Sequence, residues 1–221
     1  MGQQYLKGQV YLKEEDGVKT VIKRYNDYSS FKWQIVPLIA NTSYPMTSSP
    51  ESRLERELEL YNEKIEGVNL PKIIRYNKED LTLEKEYIEG NPPYKETKLL
   101  GELMYNLHSH GYVLGDSKID NFILNEKDKK VYLIDSEQVY KSNDDRLKAW
   151  DIDLLFSSLS YNLNIIDYRK AIREFKSTYF LWDGVSRYTI DTRNAAVLLP
   201  MPLPNIIVLL SEIYLNLDRL D

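Results

Sequence analysis

The sequence predicts an α+β fold in two lobes, a small strand-rich part followed by a larger, mostly helical one. Three observations carry this expectation. Strand-forming runs crowd residues 9–25 and 70–88 around a single amphipathic stretch. Helical patterns dominate beyond residue 98. Between the two lies Glu89-Gly90-Asn91-Pro92-Pro93, a hinge by composition, which sets the first lobe at residues 1–90 and the second at 91–221. A chain of 221 residues has the length for either one large domain or two small lobes, with a substantial core.

The elements follow in order. Gln9–Leu12 and Thr20–Tyr25 are β-rich runs joined by residues 13–19, and Asp16-Gly17 within that link is a strong hairpin signal. Residues 41–50 form a turn-rich connector whose Ser49-Pro50 suits a helix N-cap and first position. The Ser/Thr-rich stretch 43–52 is read as a loop, with receipt of phosphate as the sharper alternative. A helix is expected from about Pro50 to Glu66, with Leu54, Leu58 and Tyr61 on one face. At about 100° per residue, Glu57 falls among Leu54, Leu58, Leu60 and Tyr61, while Glu55 and Glu59 fall opposite. A carboxylate facing a core needs a cation, and Lys23, at the end of the preceding apolar strand, is the candidate. The bland alternative is an acidic surface helix in which Glu57 has no special part.

Residues 70–76 and 81–88 read as two further strands. Lys98 to His110 is an amphipathic helix through Leu99, Leu100, Leu103, Met104 and Leu107, stopped by Gly111. Residues 147–163, 168–180 and 205–220 read as later helices, the last with Pro202 and Pro204 ahead of it. No internal repeat is visible. His108 and His110 are read as ending a helix and either packing or meeting solvent, and Trp33, Trp150 and Trp182 as core or lobe-packing residues.

Composition argues against several functions. Apolar residues make up 43% and charged residues 29%, ordinary for a globular protein, and the net charge of −5 with no long Lys/Arg run gives no nucleic-acid signal. Without cysteine there are no disulfides or thiolate metal sites, and two histidines support neither a His-based zinc site nor a serine triad. No signal peptide is read, and the longest apolar stretch, 195–210, is broken by three prolines, so a cytosolic protein without membrane spans is expected.

The residues that carry chemistry are Gly115-Asp116-Ser117-Lys118-Ile119-Asp120-Asn121, followed by Leu133-Ile134-Asp135. An Asp, an Asn five positions on and a second Asp at the end of an apolar strand can form a kinase-type phosphoryl-transfer site. One carboxylate, Asp116, orients or deprotonates the acceptor hydroxyl. Asn121 and Asp135 offer the oxygen ligands that Mg²⁺ on ATP demands. Residues 122–124 and 131–134 read as the arms of a hairpin, which returns Asp135 to the side of Asn121 and Asp116.

Four segments, spanning roughly Gln9 to Phe180, resemble the small atypical kinases, above all the KEOPS-complex kinase/ATPase family and the RIO kinases. Val21-Ile22-Lys23 resembles the family's strand lysine. Arg53-Leu54-Glu55-Arg56-Glu57 resembles its Arg-x-x-x-Glu helix start. Gly67-Val68-Asn69-Leu70-Pro71 through Glu86-Tyr87-Ile88-Glu89-Gly90 resembles its passage into the hinge. Leu107-His108-Ser109-His110-Gly111 through Asn121-Phe122-Ile123-Leu124 resembles its catalytic loop. The resemblance implies a two-lobed protein-kinase-like fold with ATP and Mg²⁺ between the lobes. It implies that Lys23 contacts the ATP phosphates and Glu57 orients it, that Glu86 and Ile88 offer backbone groups to adenine, and that Asp116 is the catalytic acid/base. It further implies that Lys118 steadies the γ-phosphate, that Asn121 and Asp135 hold Mg²⁺, and that Asp151 braces the loop. The implied activity is serine/threonine protein kinase activity, including autophosphorylation, or ATP hydrolysis, with a protein substrate or partner.

The chain departs from that pattern in several places. Leu114 stands where the family has His, a structural brace. Asp135-Ser136-Glu137 replaces Asp-Phe-Gly, which implies a fixed rather than a switching segment. Lys7-Gly8-Gln9-Val10 is all that remains of a Gly-rich loop. About 15 residues separate Asp135 from Asp151, too few for a peptide-docking platform, and the basic C-terminal tail is absent. Two alternatives therefore stand beside the leading one. One is a small-molecule kinase of the aminoglycoside- or choline-kinase type, suggested by Ile134-Asp135-Ser136-Glu137. The other is a non-catalytic pseudokinase that acts as a binding module. The phosphate acceptor and the oligomeric state are not fixed by these motifs.

Overall fold

The computed structural model describes residues 3–7, 9–26 and 42–217. The expectations for Gly8, Trp33 and the chain after residue 217 lie outside these residues. The first lobe is a five-stranded antiparallel sheet in the order β1-β2-β3-β5-β4, built from β1 (Gln3–Lys7), β2 (Val10–Glu15), β3 (Val18–Arg24), β4 (Ile73–Asn77) and β5 (Thr82–Glu86). Asp16 and Gly17 both take positive φ, 51° and 77°, so the β2–β3 hairpin closes on a two-residue turn with Glu15 opposite Val18. The strands thus run further into the expected 13–19 link than their apolar cores suggest. β1 has no apolar alternation to announce it. It is an edge strand held by backbone pairing to β2, with a register shift between Tyr5 and Lys7.

Helix α1 (Pro50–Glu63) starts as expected, with the Ser49 hydroxyl accepting from the Ser52 N–H at 3.2 Å and Pro50 in the first turn. It ends at Glu63 rather than Glu66, because Lys64 turns left-handed at φ 49° and caps it. Its Leu54 packs with Tyr25 and Leu83 beneath the sheet, while Leu60 joins the core of the second lobe.

The lobes are stitched together along the hinge. The Leu124 N–H donates to the Asn91 carbonyl at 2.8 Å and the Leu133 N–H to the Asn69 carbonyl at 2.9 Å. At Gly90 a β-carbon would stand 2.0 Å from the Leu124 carbonyl oxygen, so only glycine lets the hinge pass this close.

The second lobe contains α2 (Thr97–Ser109), α3 (Asp145–Ser160), α4 (Ile165–Lys176), the single turns α5 (Trp182–Val185) and α6 (Ala195–Leu198), and α7 (Leu203–Leu217). Two small antiparallel pairs lie against them: β6 (Tyr112–Val113) with β9 (Tyr140–Lys141), and β7 (Phe122–Asn125) with β8 (Lys130–Leu133). Leu100, Leu107, Phe122, Ile152, Phe156 and Phe175 are fully buried at its centre. Helices α3 and α4 begin earlier than their apolar periods because side chains cap them. Asp144 accepts from the Arg146 N–H, and Asn164 accepts from the N–H groups of Ile166 and Asp167. Trp150 and Trp182 are core residues, as expected. No helix among the described residues is long and apolar enough to cross a membrane.

Candidate active site

Lys23 sits in β3 directly opposite Leu83 of β5, on the face that meets α1. Its Nζ lies 2.8 Å from Glu57 Oε2, 2.6 Å from Asp135 Oδ1 and 3.2 Å from Glu137 Oε2. The periodicity of α1 thus does turn Glu57 inward, where it is fully buried, and the acidic-surface alternative for it falls. Burial alone depresses the Lys23 pKa, but the carboxylates of Asp135, Glu137 and Glu57 outweigh it and hold the ammonium well above the ordinary lysine value. Burial likewise pushes the Glu57 carboxyl up, and Lys23 and Lys85 bring it below its usual range. The Tyr25 hydroxyl donates to Glu57 at 2.5 Å.

Several further participants carry no role in the sequence motifs. Arg53, one turn before Glu57, donates to Glu137 and to Gln9, each at 3.0 Å, and to the Tyr25 carbonyl at 2.6 Å. Gln9 donates to Glu137 at 2.6 Å. Lys85 reaches Glu57 from β5 at 2.5 Å. Lys23, Lys85 and Arg53 thus balance Glu57, Asp135 and Glu137 in one interior cluster. The segment after Asp135 is fixed in place by Glu137, where the related pattern has glycine.

The loop that carries Asp116 is held from behind by α3. Asp151 accepts from the N–H groups of Leu114 at 2.6 Å and Gly115 at 2.7 Å, and Ser117 donates to its carbonyl at 2.6 Å. His108 lies 3.1 Å from the same carboxylate and 2.7 Å from the Tyr179 hydroxyl. It is not a solvent-facing helix end. It orients Asp151 from α2, although position 114 carries Leu in place of the family's His. Trp150 donates to the Gly115 carbonyl at 2.9 Å. Gly115 has φ +73°, and a β-carbon there would lie 2.3 Å from the ring of Tyr44, whose hydroxyl is held between the carbonyls of Val113 and Gln138. Gly115→Ala therefore combines left-handed strain with overpacking and is expected to cost roughly 2–4 kcal/mol. Urea unfolding of the purified variant checks this.

Lys118 lies 3.0 Å from Asp116 and is partly exposed. Burial lowers its pKa and Asp116 raises it, with Asp135 adding to the rise, so the ammonium stands above its usual value beside Asp116. Asn121 donates through Nδ2 to the Asp116 carbonyl at 2.6 Å, which turns its Oδ1 away from that bond. The β7–β8 hairpin brings the Ile134 N–H to the Asn121 carbonyl at 2.9 Å and so sets Asp135 beside Asn121. Mg²⁺ binds through one or two protein oxygens and completes its shell with substrate phosphates and water. The Asn121 amide oxygen and the Asp135 carboxylate are a donor set of that kind and fit the ion. Among the described residues no three His, Cys, Asp or Glu side chains gather as a metal site of their own.

At the hinge, the Glu86 N–H donates to the Lys72 carbonyl at 2.9 Å, so that donor is not open to a ligand. The Ile88 N–H makes no bond to another described residue.

No protein-family model matches the chain. It is 28% identical over 175 residues to a probable bifunctional tRNA threonylcarbamoyladenosine biosynthesis protein of Methanosarcina barkeri, a match covering 77% of this chain and 30% of that protein. It is 29% identical over 117 residues to the protein of the same description from Methanosarcina mazei, covering 50% of this chain and 20% of that one. The chain thus spans less than a third of the length of these relatives. Among solved structures, it is similar to choline kinase LicA from Streptococcus pneumoniae, with TM-score 0.55, 14% identity and coverage of 96% of this chain and 86% of that one. It is also similar to WaaP in complex with acyl carrier protein, with TM-score 0.52, 15% identity and coverage of 88% and 87%. The fold is kinase-like, an α+β arrangement of a small antiparallel-sheet lobe and a helical lobe.

Proposed function

We propose that the chain is an ATP- and Mg²⁺-dependent phosphotransferase or ATPase of the atypical-kinase class. The observation that carries this is the convergence of Lys23, Glu57 and Asp135 from three separate elements into one buried cluster, beside the loop of Asp116 and Asn121. In this reading Lys23 exchanges carboxylate contacts for the phosphates of ATP, while Glu57 keeps it aimed. Asn121 and Asp135 hold Mg²⁺, whose chemistry when bound is to neutralise charge between phosphate oxygens. Asp116 accepts the proton of the attacking hydroxyl or water, and Lys118 steadies the transferred group. The Glu86 carbonyl and the Ile88 N–H hold adenine. Rate comes from positioning and charge neutralisation. Serine/threonine protein phosphorylation is the finer reading. A protein partner and a cytosolic setting belong to the same reading.

A small-molecule kinase is the second reading, favoured by the likeness to a choline kinase and by Asp135-Ser136-Glu137. The test is purified protein with radiolabelled ATP and Mg²⁺, following labelled protein, labelled small alcohols and free phosphate. Label or phosphate that appears only with Mg²⁺ is expected. Calorimetric binding of ATP without turnover would leave a pseudokinase, and no binding would remove the nucleotide from the reading.

A further inference from the structure

Lys85 is a second buried lysine for which the nucleotide reading has no task. In β5 it stands two residues beyond Leu83 and opposite Val21, so it shares the face of the sheet that Lys23 occupies. Its side chain is 4% exposed, and its Nζ lies 2.5 Å from Glu57 Oε1 and 2.8 Å from the Ile134 carbonyl. Glu57 therefore divides its oxygens. Oε1 meets Lys85, and Oε2 meets Lys23 and the Tyr25 hydroxyl. The same lysine ties α1 to the residue that precedes Asp135.

Three carboxylates surround Lys23, and a lysine that turns to an incoming phosphate must give some of them up. Any carboxylate left behind in this interior without a cation is strongly disfavoured. Glu137 has Arg53 and Gln9 to fall back on. Asp135, with 24% of its side chain exposed, is the most open of the three and lies beside Asn121, where a metal ion can take over its charge. Glu57 is fully buried, and Lys85 shares its charge, so that Glu57 can aim Lys23 without taking all of the ammonium's charge.

We propose that Lys85 is a positioning residue that holds Glu57 and the Ile134 carbonyl, and so frees Lys23 to exchange its carboxylates for the phosphates of a nucleotide. This rests on the nucleotide reading above. Without Lys85, the whole charge of Glu57 falls on Lys23, and the ammonium that Glu57 aims has less charge to offer a phosphate.

The test is a mutant cycle read by calorimetric titration of ATP with Mg²⁺ into wild type, Lys85→Met, Glu57→Gln and the double variant. Lys85→Met alone is expected to weaken binding at least tenfold, and Lys85→Arg to restore it. In the Glu57→Gln background, which holds no charge to compensate, Lys85→Met is expected to change affinity less than twofold. Wild-type affinity in Lys85→Met, or an equal loss in both backgrounds, overturns the proposal. If Lys85→Met fails to fold, the comparison of Glu57→Gln with the double variant decides, and a tenfold loss between them is the adverse result. If wild type binds no ATP, the nucleotide reading is what has failed. Lys85 is then judged by amide hydrogen exchange across residues 50–63 without nucleotide, where Lys85→Met is expected to speed exchange and unchanged protection overturns its hold on Glu57.

Discussion

Asp116→Asn is expected to lower phosphoryl transfer or ATP hydrolysis by about 10²–10⁴-fold, the range for loss of a general acid or base. The substitution is informative because the loop does not depend on the carboxylate for its shape. Asp116 is held through its backbone carbonyl by Asn121, and the preceding residues are held by Asp151 and Trp150. An amide of equal size keeps those bonds and removes only the proton acceptor and the negative charge that faces Lys118. The loss should therefore fall on kcat, with KM for ATP nearly unchanged. Single-turnover transfer with saturating ATP measures it. Undiminished kcat would remove Asp116 from the chemistry. A matching rise in KM would point instead to a collapsed loop, which unfolding curves of the same variant would reveal.

The order of elements was readable because local chemistry announces it. Asp16-Gly17 marks a hairpin, Ser49-Pro50 a helix start, and Gly90 with two prolines a hinge. The meeting of Lys23 with Glu57 was readable too, since helical geometry alone turns Glu57 inward and a buried carboxylate calls for a cation. The hairpin arithmetic that returns Asp135 to Asn121 is equally local. What stayed hidden depends on contacts distant in sequence. Gln9 and Glu137 are 128 positions apart, Arg53 and Glu137 84 apart, and no periodicity links them. Glu137 stood in the sequence only as a departure from Asp-Phe-Gly, and Arg53 only as part of a helix-start pattern. The brace formed by His108 was missed for a related reason. A histidine in the last turn of an amphipathic helix suits solvent as well as core, and the acceptor that decides the matter lies 43 positions away at Asp151. Lys85 stood only as one residue of the expected strand 81–88, and no local pattern says that it and its neighbour Glu84 are both buried.

Arg53→Met is expected to cost roughly 3–5 kcal/mol of stability, the range for breaking a buried charge pair from one side. Arg53 is fully buried and makes the 3.0 Å bond to Glu137, which is itself 1% exposed. Removing the guanidinium leaves that carboxylate to Gln9 and Lys23, and Lys23 already serves Glu57 and Asp135. Glu137→Gln in the same chain should recover a good part of the loss, because the charge that lacked a partner is then gone. Urea midpoints of the single and double variants at constant slope measure this, and additive losses would mean that the pair is not coupled. The pH dependence follows from the same cluster. Glu57 has a lowered pKa in the fold, so its contribution is present above the ordinary Glu value of about 4.3 and is lost as pH falls through the lowered value. Lys23 has a raised pKa, so its contribution is full below the ordinary lysine value of about 10.4 and is lost as pH rises through the raised value. The contribution of this pair should therefore be flat between those limits and fall at both ends.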